Sequence, residues 1–252
     1  RSASMVNNKM EDGRTRLEHL QDAAKAAVNT FMTEGRKNPN RMSIITFSNG
    51  AKEYVSFTES SLQNKETLCK IIDGEYKGKN IWENKSGTNY QAGLQEAKRI
   101  IDGDQSGRKK YVIFVTDGQP TFYYGPSGTT LHGSGSSIDD QTAYWSKYAA
   151  AQITGISGFY SVGIDDSGYK TYLTELANLV GATERMYLSG NNTAQLEETF
   201  AAIVSSITKQ ISHVSITDTL SDYVDFVKTT GSSPQATKDS IGLVVTKQGP
   251  AD

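Results

Sequence analysis

The sequence predicts an α/β domain built on a doubly wound, mostly parallel sheet, followed by part of an all-β module. Three observations carry that expectation. Helical periodicities alternate with short apolar, β-branched runs from Met10 to Ile211, the βα alternation that puts helices on both faces of a parallel sheet. YVIFVTD at 111–117 is apolar at nearly every position, as expected of a strand covered on both faces. After Gln210 the alternation stops, and HVSITDTLSDYVDFVKTT and SIGLVVTKQG show two-residue patterning with turn residues between them.

The elements follow in order. Leu17, Leu20, Ala24, Ala27, Val28 and Phe31 share one face of a first amphipathic helix. MSIITFS at 42–48 reads as a buried strand. AKEYVSFT at 51–58 alternates and follows Asn49-Gly50, a hairpin signal, so the two strands should be antiparallel neighbours with the second near an edge. A helix over about 61–72 and a polar loop over 73–87 come next. The following helix carries Leu94, Ala97 and Ile101 on one face, and leads into the 111–117 strand. A Gly/Ser/Tyr-rich loop then spans 118–137. Beyond it the pattern predicts a helix at about 138–154, a strand at 159–164, a helix at 168–179, a short strand at 185–188 and a helix at 193–210. The predicted domains are thus 1–211, α/β, and 212–252, a partial β-sandwich module.

Bulk properties exclude several function classes. With 252 residues, 21% charged and a formal net charge of -2, the chain lacks the basic face that nucleic acid requires. No apolar run reaches the roughly 20 residues of a membrane span. The single cysteine, Cys69, sits among Leu68, Ile71 and Ile72 and reads as a half-buried helix position. His19, His132 and His213 are too scattered for a zinc site.

Three separated stretches carry the chemistry: RSASM at 1–5, SGTNY at 86–90 and VTDGQP at 115–120. Loops at the carboxyl ends of parallel strands line one crevice, so Ser2, Ser4, Thr88 and Asp117 should meet on one rim. Hydroxyls plus a carboxylate are hard oxygen ligands, suited to Mg²⁺, or to Mn²⁺ or Ca²⁺.

At these residues the chain resembles von Willebrand factor A-type domains, whose metal-ion-dependent adhesion site reads Asp-x-Ser-x-Ser, then a distant Thr, then an Asp in a Thr-Asp-Gly context. Ser2 and Ser4 match the serines, Thr88 the threonine and Asp117 the second aspartate. The resemblance covers about 1–210. One departure stands out. The family's first Asp would fall one position before Arg1, and the apolar strand that should carry it is not in the sequence. The chain therefore reads as a fragment, its first strand missing, with upstream residues or another segment expected to complete the sheet. Each unpaired backbone group left buried would otherwise cost on the order of 1–3 kcal/mol.

The C-terminal stretch VSITDTLSDYVDFV is similar to the return into a β-sandwich in pilus-tip and wall-anchored adhesins of Gram-positive bacteria. The resemblance implies an extracellular adhesion domain on the cell wall or a pilus. Its partners would be a host matrix or cell-surface protein, engaged through an acidic side chain, and other pilus subunits. The alternative is a scaffold domain that binds protein or glycan by its loops without metal. Phe122, Tyr123 and Tyr124 in the 118–137 loop, and Trp82 with Tyr76 in the 73–87 loop, are the candidate ligand-contacting rims. Asn89 and Asp165-Asp166 read as turn or cap residues, and Asp218 as a turn residue.

An enzyme is not expected. No Gly-x-Gly-x-x-Gly follows a strand, there is no phosphate loop ending Gly-Lys-Ser/Thr, and no Ser stands in a nucleophile elbow. HGSGSS at 132–137 lacks a third glycine and does not closely follow a strand.

Overall fold

The computed structural model describes residues 3–35, 37–80, 87–164, 168–190 and 192–211. The chain divides at Ser212/His213. The predicted β-module at 212–252, with Asp218, lies outside the described residues, as do Ser2, Trp82 and Asp165-Asp166.

Among the described residues helices and strands alternate much as the periodicity predicts. A one-turn helix α1 (Ala3–Asn7) precedes α2 (Arg16–Phe31), which a capping box at Thr15 and Glu18 starts. The hairpin β1 (Arg41–Phe47) and β2 (Ala51–Glu59) is antiparallel. Helix α3 (Leu62–Ile72) leads to a two-residue hairpin, β3 (Glu75–Tyr76) and β4 (Lys79–Asn80). Its tip, Lys77-Gly78, has φ of 51° and 72°, the doubly positive turn that matches strand twist. The sequence reading made this segment a plain loop.

Then follow α4 (Tyr90–Gly103), β5 (Tyr111–Thr116), a single 3₁₀ turn at Gly125–Ser127, α5 (Asp140–Ala151), β6 (Thr154–Gly163), α6 (Lys170–Leu179), β7 (Gly181–Ser189) and α7 (Thr193–Ile211). Strands β5, β6 and β7 form a parallel sheet in that order. This is a von Willebrand factor A-like doubly wound α/β fold.

Side-chain alternation along β6 explains the layering. Tyr160, Val162 and Ile164 face α2 and α7, where they pack with Ala23, Ala27, Phe200 and Ile203. Phe159 faces the other way, into the layer of α4, α5 and α6. All six residues from Phe159 to Ile164 are buried, so β6 is the strand covered on both faces.

The expectation of full cover for 111–117 is corrected. Tyr111, Val112, Ile113 and Val115 are only half-buried, and Phe114 and Thr116 are buried. The reason lies in the ladder: among the described residues β5 pairs only with β6, and β1 only with β2. The two sheets meet through side chains instead. The Phe47 and Phe114 rings stack at 5.1 Å, with Tyr90 edge-on to Phe114 at 4.9 Å.

Candidate metal-binding site

The turn after β5 is the centre of the site. Asp117 follows the strand with its side chain only 2% exposed. The carbonyl of Thr116 accepts from the Ile164 amide at 2.9 Å and from the Tyr169 hydroxyl at 3.3 Å. The Thr116 hydroxyl donates to the Gly118 carbonyl at 3.0 Å, and so does the Tyr90 hydroxyl at 2.5 Å. Burial pushes the Tyr90 phenol well above its ordinary pKa, so it stays a donor throughout the physiological range.

Thr88 is locked to the same turn from the other side. Its amide donates to the Thr121 hydroxyl at 2.8 Å, and its carbonyl accepts from the Thr121 and Phe122 amides at 2.8 and 3.1 Å. Asn89 caps α4, its Oδ1 accepting from the Ala92 amide at 2.9 Å, while its amide donates to the Ser48 carbonyl at 2.5 Å. The cap role read from the sequence is therefore the observed one. Thr88 and Asp117 thus stand on one hydrogen-bonded frame, both buried.

Ser4 lies in α1, not in a loop as expected. Its carbonyl accepts from the Asn8 amide, and the Asn8 carbonyl accepts from the Arg16 amide, each at 3.0 Å. Met5 beside it is buried in the cluster that α2, β6 and α7 build. Arg16 then reaches the site directly: its Nη1 lies 3.5 Å from Oδ2 of Asp117.

The aromatic rims have the following places. Phe122 is half-buried, with Gly87 against one part of its ring and Gly135 against another. A Cβ on either glycine would fall 2.3 or 2.7 Å from ring carbons. Tyr123 is half-buried and stacks on His132 at 5.2 Å. The Tyr124 hydroxyl lies over Gly50. Tyr76 packs edge-on against Tyr54 at 5.5 Å. Gly133 and Gly135 of HGSGSS lie close against Thr121 and Phe122.

Sequence reasoning missed Gln91 and Arg16. Gln91 is wholly buried; its Oε1 accepts from the Tyr124 and Gly125 amides at 2.7 and 3.3 Å, and its Nε2 donates to the Gly125 carbonyl at 3.2 Å. An amide amid the apolar face of α4 was the available signal.

The donor set tests whether a metal fits. Among the described residues no group of three or more His, Cys, Asp or Glu gathers to hold one. The described residues show one carboxylate, Asp117, with the Arg16 guanidinium 3.5 Å from it, and Thr88 buried just before α4. A carboxylate and hydroxyls are the donor types that a hard cation keeping water in its shell accepts.

Comparison with known proteins agrees with the architecture. Residues 1–119 match the family model of the von Willebrand factor type A domain. Among solved structures the chain is similar to a von Willebrand factor type A protein from Catenulispora acidiphila, at 16% identity and a TM-score of 0.56, over 81% of this chain and 40% of that one. It is also similar to the pilus adhesin SpaC from Lactobacillus rhamnosus GG, at 20% identity and a TM-score of 0.57, over 83% of this chain and 30% of that one. The chain thus spans 30–40% of the length of these proteins. No curated protein sequence matches it. The family model matches residues 1–119 of 252, and the structural likeness shows a von Willebrand factor A-like α/β fold.

Proposed function

We propose that this domain is an extracellular adhesion module that engages its partner through a divalent cation, and that it binds rather than catalyses. The observation that carries this reading is the Asp117 carboxylate, 2% exposed, at the carboxyl end of β5 with the Arg16 guanidinium beside it and Thr88 on the same frame. Asp117, the hydroxyls of Thr88 and Ser4, and Ser2 would hold Mg²⁺, or Mn²⁺ or Ca²⁺. Bound there, the ion would supply an electrophilic position to which a partner's Asp or Glu oxygen can coordinate.

This chain's own residues do the positioning. Tyr90 and Thr116 hold the Asp117 turn, and Thr121 holds Thr88 against it. Gln91 ties Tyr124 and Gly125, so the aromatic loop stands beside the site in a fixed form. Likeness to a pilus adhesin supports a cell-wall or pilus setting in a Gram-positive bacterium, a host matrix or cell-surface protein as the ligand, and other pilus subunits as neighbours. Among the described residues no helix is long and apolar enough to cross a membrane.

Calorimetric titration of Mg²⁺ and Mn²⁺ into the full-length protein tests the reading, with Asp117→Ala as the control. Saturable binding lost in the variant is the expected result. Absence of binding in the wild type would sink the metal-dependent mechanism and leave a scaffold that binds by its loops.

A further inference from the structure

Arg16 is the first residue of α2, where a positive charge meets the like-signed end of the helix dipole. Its side chain is nonetheless drawn inward, to 11% exposure, with Nη1 3.5 Å from Asp117 Oδ2. The neighbouring charges have other occupations. Glu18 accepts from the Thr15 amide and hydroxyl at 2.7 and 2.8 Å, and Arg14 turns to Asp22 at 2.5 Å. The root of Arg16 is fixed by the hydrogen bond that its backbone amide donates to the Asn8 carbonyl at 3.0 Å. A carboxylate as buried as Asp117 requires a counter-charge close by, and the geometry gives that role to Arg16.

We propose that Arg16 is an internal counter-ion for Asp117, which a divalent cation must displace or share the carboxylate with. The inference rests on the reading of Asp117 as a metal ligand and adds what sets the affinity of that site. Without metal, Arg16 neutralises the buried carboxylate and ties the start of α2 to the end of β5. With metal, two positive charges compete for one carboxylate, so each weakens the other's hold. Arg16 therefore keeps the metal affinity low and the metal-free domain intact.

The test is calorimetry of Mg²⁺ binding by the full-length protein as wild type, Arg16→Gln and Arg16→Lys. Melting temperatures are measured alongside, in EDTA and in saturating Mg²⁺. Arg16→Gln should bind Mg²⁺ roughly tenfold more tightly, the size of effect expected for removing one partly buried charge beside a dication. Arg16→Lys, which keeps the charge, should stay within about twofold of wild type on the same ground. In EDTA, Arg16→Gln should melt below wild type, and Mg²⁺ should close most of that gap. Wild-type binding with no gain in Arg16→Gln overturns the counter-ion role alone. So does an equal loss of melting temperature with and without Mg²⁺, the mark of a merely structural arginine. No Mg²⁺ binding by any of the three proteins overturns the metal reading and this proposal with it.

Discussion

Gly87 and Gly135 lie against the Phe122 ring, and Gly87 does so with φ of +79°, a conformation side chains with a Cβ rarely take. Gly87→Ala adds strain and a 2.3 Å contact with the ring. The expected cost is about 2–3 kcal/mol of unfolding free energy, from overpacking together with the unfavourable φ, measurable by urea denaturation. The damage should also reach Thr88, the next residue. Weaker Mg²⁺ binding should accompany the loss of stability, whereas an unchanged stability would mean that Phe122 moves aside freely. At this scale the sequence was legible where a residue type announces its chemistry at a strand end. The structure has Asp117 directly after β5, as the sequence reads it, and Thr88 just before α4. Gln91 left only an amide amid the apolar face of α4 as a signal, and Arg16 left none, because each works through a partner far along the chain that the local pattern does not name.

Asp104 ends α4 and joins elements that share no ladder. Its carboxylate pairs with Arg41, the first residue of β1, at 2.7 Å, and with Lys110, just before β5, at 3.4 Å. Burial opposes its charge, but hydrogen bonds from Ser106 and Arg41 and the charge of Arg41 outweigh that and hold its pKa at about 2. The folded value is below the unfolded one, so the contribution is present above about pH 4 and is lost as pH falls toward 2. Asp104→Asn is expected to cost about 2 kcal/mol at neutral pH. It should also flatten the acid limb of the stability profile between about pH 4 and 2. Thermal unfolding across that range checks it; a variant that keeps the wild-type slope would place the acid sensitivity elsewhere. Elements themselves were the most legible part of the fold, since α2, α4 and the β1–β2 hairpin follow from periodicity and one Asn-Gly turn. Degree of burial was less so. β5 is the more apolar run, yet β6 is the strand covered on both faces, because cover depends on which neighbours a strand has and not on its own residues.

The described residues form two helical layers about the parallel sheet, α2 with α7 and α4 with α5 and α6, and the antiparallel β1–β2 hairpin meets the sheet through Phe47, Phe114 and Tyr90. The fold class and its βα order were readable from the sequence because alternation is a property of the whole chain. The lateral pairing of β1 and β5 was not, since a ladder depends on a second strand that pattern alone cannot assign. That one-sided pairing has a consequence for exchange with solvent. The carbonyls of Lys110 and Thr116 both bond to the β6 side. In a parallel strand the backbone groups of successive residues point to alternate sides, so the amides of Val112 and Phe114 turn toward β6, and those of Ile113 and Val115 turn away. In the 252-residue chain, deuterium should enter Ile113 and Val115 much sooner than Val112 and Phe114. Uniform protection along β5 would mean that something else covers its outer side. Among the described residues the outer edge of β5 carries no ladder, so any strand that pairs there would lie along Ile113 and Val115, and the backbone that frames the site would be shared with that strand.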